Sequence, residues 1–448
     1  MVMIFLVGVG FAMTLDPTAI FALRRKVAWR ILPLVILLYL AAYLDRANVG
    51  FAKLRMAQDL GFSEEVFGLG IGIFFLGYLT LEIPGALLVE RWSARKWFAR
   101  ILITWGFLSA ATAFVETPMQ FYVSRFLLGV AEAGFFPGII VYFTHWFPMK
   151  ERASAMSGFI VAIPLSLALG APLSGALLQV NWLGWEGWQW LFVVEGVPAV
   201  ALGIATLYFL TDRPRDAKWL SPVERDYLEG VLAAESTAKD SLQKYTIGQA
   251  LKMRNVWLLA LGIFATNMGG YALSFWMPTT VKSLSGGSDS SALLYSGLFY
   301  ACGIVGVLYA GFRADRTGDR KWTCVAGQCS TGIFLAMSAI PGQSFAVVMA
   351  WLVLTGLTAY SWPAPFWALP TSALTASAAA VSIGLINIFA NLAGYFGNHL
   401  IGWIKVRGAT DSDCLFILAA WYLAGGLIVS FVRVKPVGPS ILETAIVP

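Results

Sequence analysis

A chain that repeats long apolar runs twelve times has few folds open to it. The runs lie at roughly 29–51, 66–89, 97–115, 119–146, 155–179, 189–210, 255–281, 291–312, 322–341, 344–367, 378–403 and 413–433. Each is long enough to cross a hydrocarbon core of ~30 Å at ~1.5 Å of helical rise per residue. Backbone polar groups in lipid must be satisfied within their own segment, which predicts helices. Barrel strands would show alternation over about ten residues, and these runs are unbroken. Charged residues make up 12% of the chain, half the ~25% typical of soluble domains, and mean hydropathy is +0.72. The expected fold is an all-α membrane protein of twelve transmembrane helices in two pseudo-symmetric six-helix halves.

The one long polar stretch, Thr211 to Arg254, falls between the sixth and seventh runs. It divides the chain into an N-terminal segment (1–28), a first half (29–210), a linker (211–254), a second half (255–433) and a tail (434–448). The halves resemble each other internally. Glu90-Arg91 with Arg95-Lys96 follows span two, and Asp315-Arg316 with Arg320-Lys321 follows span eight. The same interval lays Ala153–Ser157 on Ala378–Ser382, at the starts of spans five and eleven. Such duplication is typical of transporters with a substrate site between the halves.

Positive charge predicts the orientation. With both termini inside, the outer segments hold Lys53, Arg55, Lys282, Lys405 and Arg407, and Arg46 and Arg125 lie within spans. Every other Lys and Arg of the 31 falls on the cytoplasmic side, so the net charge of +6 reflects topology and does not suggest nucleic acid. Cys302, Cys324, Cys329 and Cys414 show no metal-ligand spacing and read as reduced packing residues. No cofactor is expected, and the chain is expected to be a monomer in the inner membrane. Met1 to Met13 lack a basic n-region and a clear cleavage site, which argues against a cleaved signal peptide and leaves Met13 as an alternative start.

Ionisable residues inside spans are costly, at least ~2.5–3.5 kcal/mol each at a helix centre, and mark candidate sites. Six occur: Asp45, Arg46, Glu82, Arg125, Glu132 and Glu195. Arg46 is the candidate for a substrate carboxylate, because a guanidinium offers a bidentate fork and stays charged. Arg125 and Glu132 stand about two helical turns apart, so span four can present a cation and an acid on one face. Asp45 and Glu132 are candidates for carrying a proton. Glu82 and Glu195, near span ends or beside Gly and Pro, read as structural. In the second half Asn387, Asn391, Gly394 and Asn398 recur at helical spacing, with Asn391 the first candidate for substrate contact and Asn387 the second. Tyr43, Tyr78 and Trp367 are further candidates, although aromatic residues are equally at home as packing groups. His145 and His399 are poorly placed as proton relays.

At these residues the chain resembles the major facilitator superfamily. Gly311-Phe312-Arg313-Ala314-Asp315-Arg316-Thr317-Gly318-Asp319-Arg320-Lys321 fits its short-loop signature, while the first-half copy has Ala86, Glu90 and Ser93 where Gly, Asp and Gly are usual. More specifically it is similar to the anion:cation symporter family, in the tartrate, phthalate and hydroxyphenylacetate permease branch. That resemblance is carried by Tyr43–Ala52, Glu82-Ile83-Pro84, Arg125–Gly138, Pro365–Thr371 and Asn387–Gly394. It implies proton- or cation-coupled uptake of a small organic anion, with protonation roles for Asp45 and Glu132, tuning of Glu132 by Arg125, and substrate hydrogen bonding at Tyr78. An aromatic acid would use Trp367 and Tyr78; a sugar acid or tartrate would use Asn391 and Asn387. Two other readings stay open. One is a proton-coupled exporter of lipophilic compounds, although Gly170–Gly175 only partly matches the expected glycine-proline pattern in span five. The other is a membrane sensor. No metal cluster argues for an enzyme, and no G-x-x-x-x-G-K-[ST] motif exists to drive a pump with ATP.

Overall fold

A computed structural model describes residues 16–240, 247–370 and 376–434. The expected extension Met1–Met13, most of the tail and Thr371 lie outside the described residues. The twelve spans are helical. Span one is Pro17–Leu60, two Glu64–Arg91, three Ala94–Ala111, four Pro118–Glu132 with Phe135–Thr144, five Met149–Ile160 with Ala162–Leu177, and six Gly187–Phe209. In the second half, span seven is Arg254–Ser285, eight Asp289–Thr317, nine Arg320–Ser338, ten Phe345–Ala359 with Pro363–Trp367, eleven Ala376–Val406 and twelve Asp411–Ser430. Ten helical segments among the described residues are long and apolar enough to cross a membrane. Spans nine and eleven occupy their expected places, and nine carries Arg320 and Lys321 in its first turn.

Helix ends follow local chemistry. Asp16 caps span one by accepting from the backbone N–H groups of Thr18 and Ala19, with Pro17 at the first helical position. Gly61, at φ 64°, ends the helix. Span one therefore begins well before residue 29, and residues 17–28 continue it as helix. The linker also contains a helix, Pro222–Asp240. It docks on the first half: Ser93 Oγ donates to Asp212 at 2.8 Å, Lys26 pairs with Glu224 at 2.8 Å, and Trp219 stacks on Trp146.

Three expected continuous helices are broken. Span four stops at Glu132 and restarts at Phe135, because Gly134 adopts φ 80° and sits Cα to Cα against Gly85 of span two. Pro137, in the first turn of the new helix, needs no donor there. Span five breaks at Val161, and span ten breaks across Tyr360–Trp362 before the Pro363 start.

The halves meet along spans two and eleven, and along spans five and eight. The duplication relates span two to eight and five to eleven, so it converts one interface into the other. Close approach of spans two and eleven needs glycine: a Cβ on Gly68 would stand 2.7 Å from the Asn398 carbonyl oxygen and 2.9 Å from Gly402 Cα. A third contact brings Gly50 of span one against the Phe275 carbonyl of span seven. The glycine contacts at Gly50 and Gly68 lie toward the face opposite the linker. There Arg55 of the first half pairs with Asp289 of the second, which Lys282 also holds at 2.5 Å. Lys53 covers the Trp276 ring at 3.7 Å.

Candidate functional site

A central cavity lies between the halves, reaching from Phe275 and Phe299 near mid-membrane toward the linker face. All six residues expected to touch substrate line it: Tyr43, Arg46 and Tyr78 from the first half, and Trp367, Asn387 and Asn391 from the second. Arg46 lies in a cage of rings, its guanidinium carbon 5.1 Å from the centre of Tyr43 and 5.2 Å from those of Phe74 and Tyr78. Such stacking holds the flat guanidinium while leaving its edge free for oxygen ligands.

One of those ligands is already present. Arg46 Nη2 donates to Glu132 Oε2 at 2.8 Å, and the Glu132 side chain is 1% exposed. Glu132 is the last residue of its helical segment. A helix C-terminus carries partial negative charge, so a carboxylate there calls for a cation. The buried ion pair of the site is thus Arg46–Glu132. Arg125 does not bond to Glu132; it lies fully buried with its guanidinium carbon 5.0 Å from the Phe74 ring. Its nitrogens meet no hydrogen-bond acceptor among the described residues, and Asp45 and Glu132 are the acids whose charges it feels.

Asp45 points away from the cavity. It accepts from Asn48 Nδ2 at 3.0 Å and from Ser109 Oγ. Glu195 belongs to the same buried polar group, held by Ser174 Oγ at 3.0 Å. The neighbours Asp45 and Arg46, about 100° apart on span one, therefore serve different faces of it, Arg46 the cavity wall and Asp45 the interior of the first half.

The family model of the Major Facilitator Superfamily matches residues 35–398. The chain belongs to that superfamily. As a member it is a multi-pass membrane transporter of small molecules and not an enzyme. A protein of Agrobacterium vitis provisionally named a tartrate transporter is 43% identical over 409 residues, 91% of this chain and 92% of its own length. A quinolone resistance transporter of Acinetobacter baumannii is 38% identical over 416 residues, 92% of this chain and 95% of its own. The relatives named for tartrate transport, with a Pseudomonas putida metabolite transport protein, NicT, at 39% identity over 415 residues, are consistent with an anion:cation symporter-like branch. The inward-open structure of the E. coli xylose transporter XylE matches with a TM-score of 0.74 at 16% identity, over 93% of this chain and 99% of that one. That likeness bears on the fold alone.

Within this superfamily fold, the polar face expected on span eleven is divided between two tasks. Asn387 and Asn391 line the cavity. Asn398 is buried against span two, where its amide donates to the Gly394 carbonyl at 2.8 Å. Gly394 itself receives the Phe75 ring. Asn267 and Tyr271 of span seven and Tyr360 after span ten also line the cavity. Tyr271 packs its ring 4.6 Å from Phe75, so it joins the halves beside the cavity. Glu82, of structural appearance in the sequence, meets both cavity asparagines. Asn391 Nδ2 donates to its Oε2 at 3.2 Å, and Asn387 Nδ2 donates to Oε1. What made Glu82 legible in principle was its place one turn after Tyr78 on the same helix face.

Proposed function

We propose that this transporter imports a small organic anion by proton symport, exposing its cavity alternately to the two sides of the inner membrane. The observation that carries the proposal is the Arg46–Glu132 ion pair at the cavity wall. An incoming carboxylate competes with Glu132 for the Arg46 fork. A buried carboxylate parted from its cation costs several kcal/mol, and a bound proton removes that cost. Anion and proton then load together, with Glu132 as the leading proton carrier, Asp45 as the second, and Arg125 keeping both acids in its field. Tyr43 and Tyr78 support the substrate carboxylate. Asn391, Asn387 and Trp367 contact the remainder from the other half.

In this reading the linker face is cytoplasmic, as are both termini, in accord with the distribution of Lys and Arg. The halves 29–210 and 255–433 rock about the cavity, joined by the linker 211–254, and one copy of the chain suffices. The substrate is a carboxylate: tartrate, an aromatic acid such as phthalate or hydroxyphenylacetate, or a sugar acid. The test is uptake of labelled acid into proteoliposomes under an imposed pH gradient. Accumulation above equilibrium with an inward proton gradient supports symport; accumulation that ignores the gradient refutes it.

A second reading, proton-driven export, has one specific observation in its favour: the relative named for quinolone resistance. The same vesicles decide between them. An exporter would exchange inward-moving protons for outward-moving compound and so deplete the lumen.

A further inference from the structure

The end of the cavity formed by span eleven is governed by Glu82. This carboxylate is 4% exposed, and both of its oxygens accept, one from Asn387 and the other from Asn391. Acceptance at both oxygens is the pattern of an ionised carboxylate, which has no proton to donate. Each asparagine turns its NH2 group toward Glu82. Asn391 uses its second N–H as well, donating to the Asn387 carbonyl at 3.1 Å. Its nitrogen is then saturated, and the carbonyl oxygen is what Asn391 has left to offer a ligand in the cavity it lines. A substrate group meeting that oxygen must be a donor.

We infer that Glu82 sets the substrate class: a monocarboxylate that places a hydroxyl at Asn391 while its carboxylate engages Arg46. Glu82 acts through Asn391 as a positioning residue and through its own charge as a barrier. A second ionised carboxylate placed at Asn391 would meet an acceptor whose own N–H groups are both taken, in the field of a buried negative charge. A site built around a hydrogen bond discriminates strongly against an analogue that cannot make it, because the buried polar group is left unpaired. The inference rests on the anion reading above. It admits both sugar acids and phenolic acids, whose shared chemistry is one carboxylate and a distal hydroxyl, and of the acids named above it excludes the diacids tartrate and phthalate.

Matched acids test it on the purified full-length protein by titration calorimetry near neutral pH. Gluconate and glucarate share a six-carbon skeleton and differ by a second carboxylate. 4-Hydroxyphenylacetate is compared with phenylacetate, which lacks the hydroxyl, and with 4-carboxyphenylacetate. Within the skeleton the protein accepts, the hydroxyl-bearing monoacid is expected to bind at least about tenfold more tightly than its diacid partner. In Glu82→Gln, an amide can face Asn391 in either sense, and that ratio should fall to about threefold or less. Equal affinity for monoacid and diacid in the wild type, or an undiminished preference in Glu82→Gln, overturns the inference and leaves the anion reading standing. Equal binding of 4-hydroxyphenylacetate and phenylacetate also overturns it, and that arm needs no variant to fold. Absence of binding by all five acids removes the anion reading and this inference together.

Discussion

Arg46 has a dual position that most residues of the site lack: it lines the cavity, and it is bound to a buried acid behind the wall. Arg46→Lys keeps the charge but cannot stack flat in the cage of Tyr43, Phe74 and Tyr78 or present a fork. A loss of at least about tenfold in affinity for the transported acid is expected by calorimetry; unchanged binding would assign Arg46 a structural role. Asn391→Ala removes one neutral hydrogen bond to substrate, ~0.5–1.5 kcal/mol, so a two- to tenfold loss of affinity is expected, and because it also takes a donor from the buried Glu82 carboxylate the melting temperature should fall. Glu132→Gln keeps the shape and holds the position neutral. Exchange of labelled for unlabelled substrate should persist in that variant, while accumulation driven by a proton gradient disappears. Both assays run on the same vesicles, and accumulation that survives excludes Glu132 as an essential carrier.

At the scale of elements, the break in span four is what presents Glu132. Had the helix continued from Glu132 to Thr144, the acid would sit mid-helix, without the segment end that now terminates beside Arg46. The break depends on Gly134, whose φ of 80° costs other residues ~1–2 kcal/mol. A Cβ there would also stand 2.6 Å from Gly85 Cα, and overpacking of this kind costs ~1–3 kcal/mol. Gly134→Ala is therefore expected to lower the melting temperature by several degrees and to weaken transport with it. An unaltered melting curve would mean that spans two and four have room to separate.

For the whole molecule, the contacts between halves are unevenly distributed. Toward the face opposite the linker they include glycine-to-backbone packing and the Arg55–Asp289 pair, whereas the cavity lies toward the linker face. Alternating exposure requires those contacts to part. Arg55 is half exposed, so its pair with Asp289 contributes at most ~1 kcal/mol after solvent screening, about fivefold in a two-state population. Asp289→Asn should shift the population toward opening at that face by up to this factor. Ser290, bonded to the Gly175 carbonyl at 3.1 Å across the interface, is a suitable reporter. A cysteine placed there, with the four native cysteines replaced, should react faster with a membrane-impermeant maleimide in the Asp289→Asn background. An equal rate would show that the remaining contacts hold this face shut without the Arg55–Asp289 pair.

Hydropathy and repetition were enough to define this chain as twelve helices in two related halves, because lipid leaves the backbone almost no alternative and a duplicated sequence folds as a duplicated unit. The cost of charge at membrane depth drew Arg46 to notice and helical spacing drew Asn387 and Asn391, whereas Tyr78 came from the family resemblance, and Tyr43 and Trp367 were aromatic candidates equally at home as packing groups. Partnership was a different matter. That Glu132 binds Arg46 while Arg125 does not, that Asp45 turns from the cavity beside which Arg46 stands, and that Glu82 meets Asn391 all depend on which helix faces which, and at what depth. One-dimensional periodicity reports the face a residue occupies on its own helix. The partner on the next helix is decided by glycine contacts, by a broken span and by the crossing of spans two and eleven, and these exist only in the folded protein.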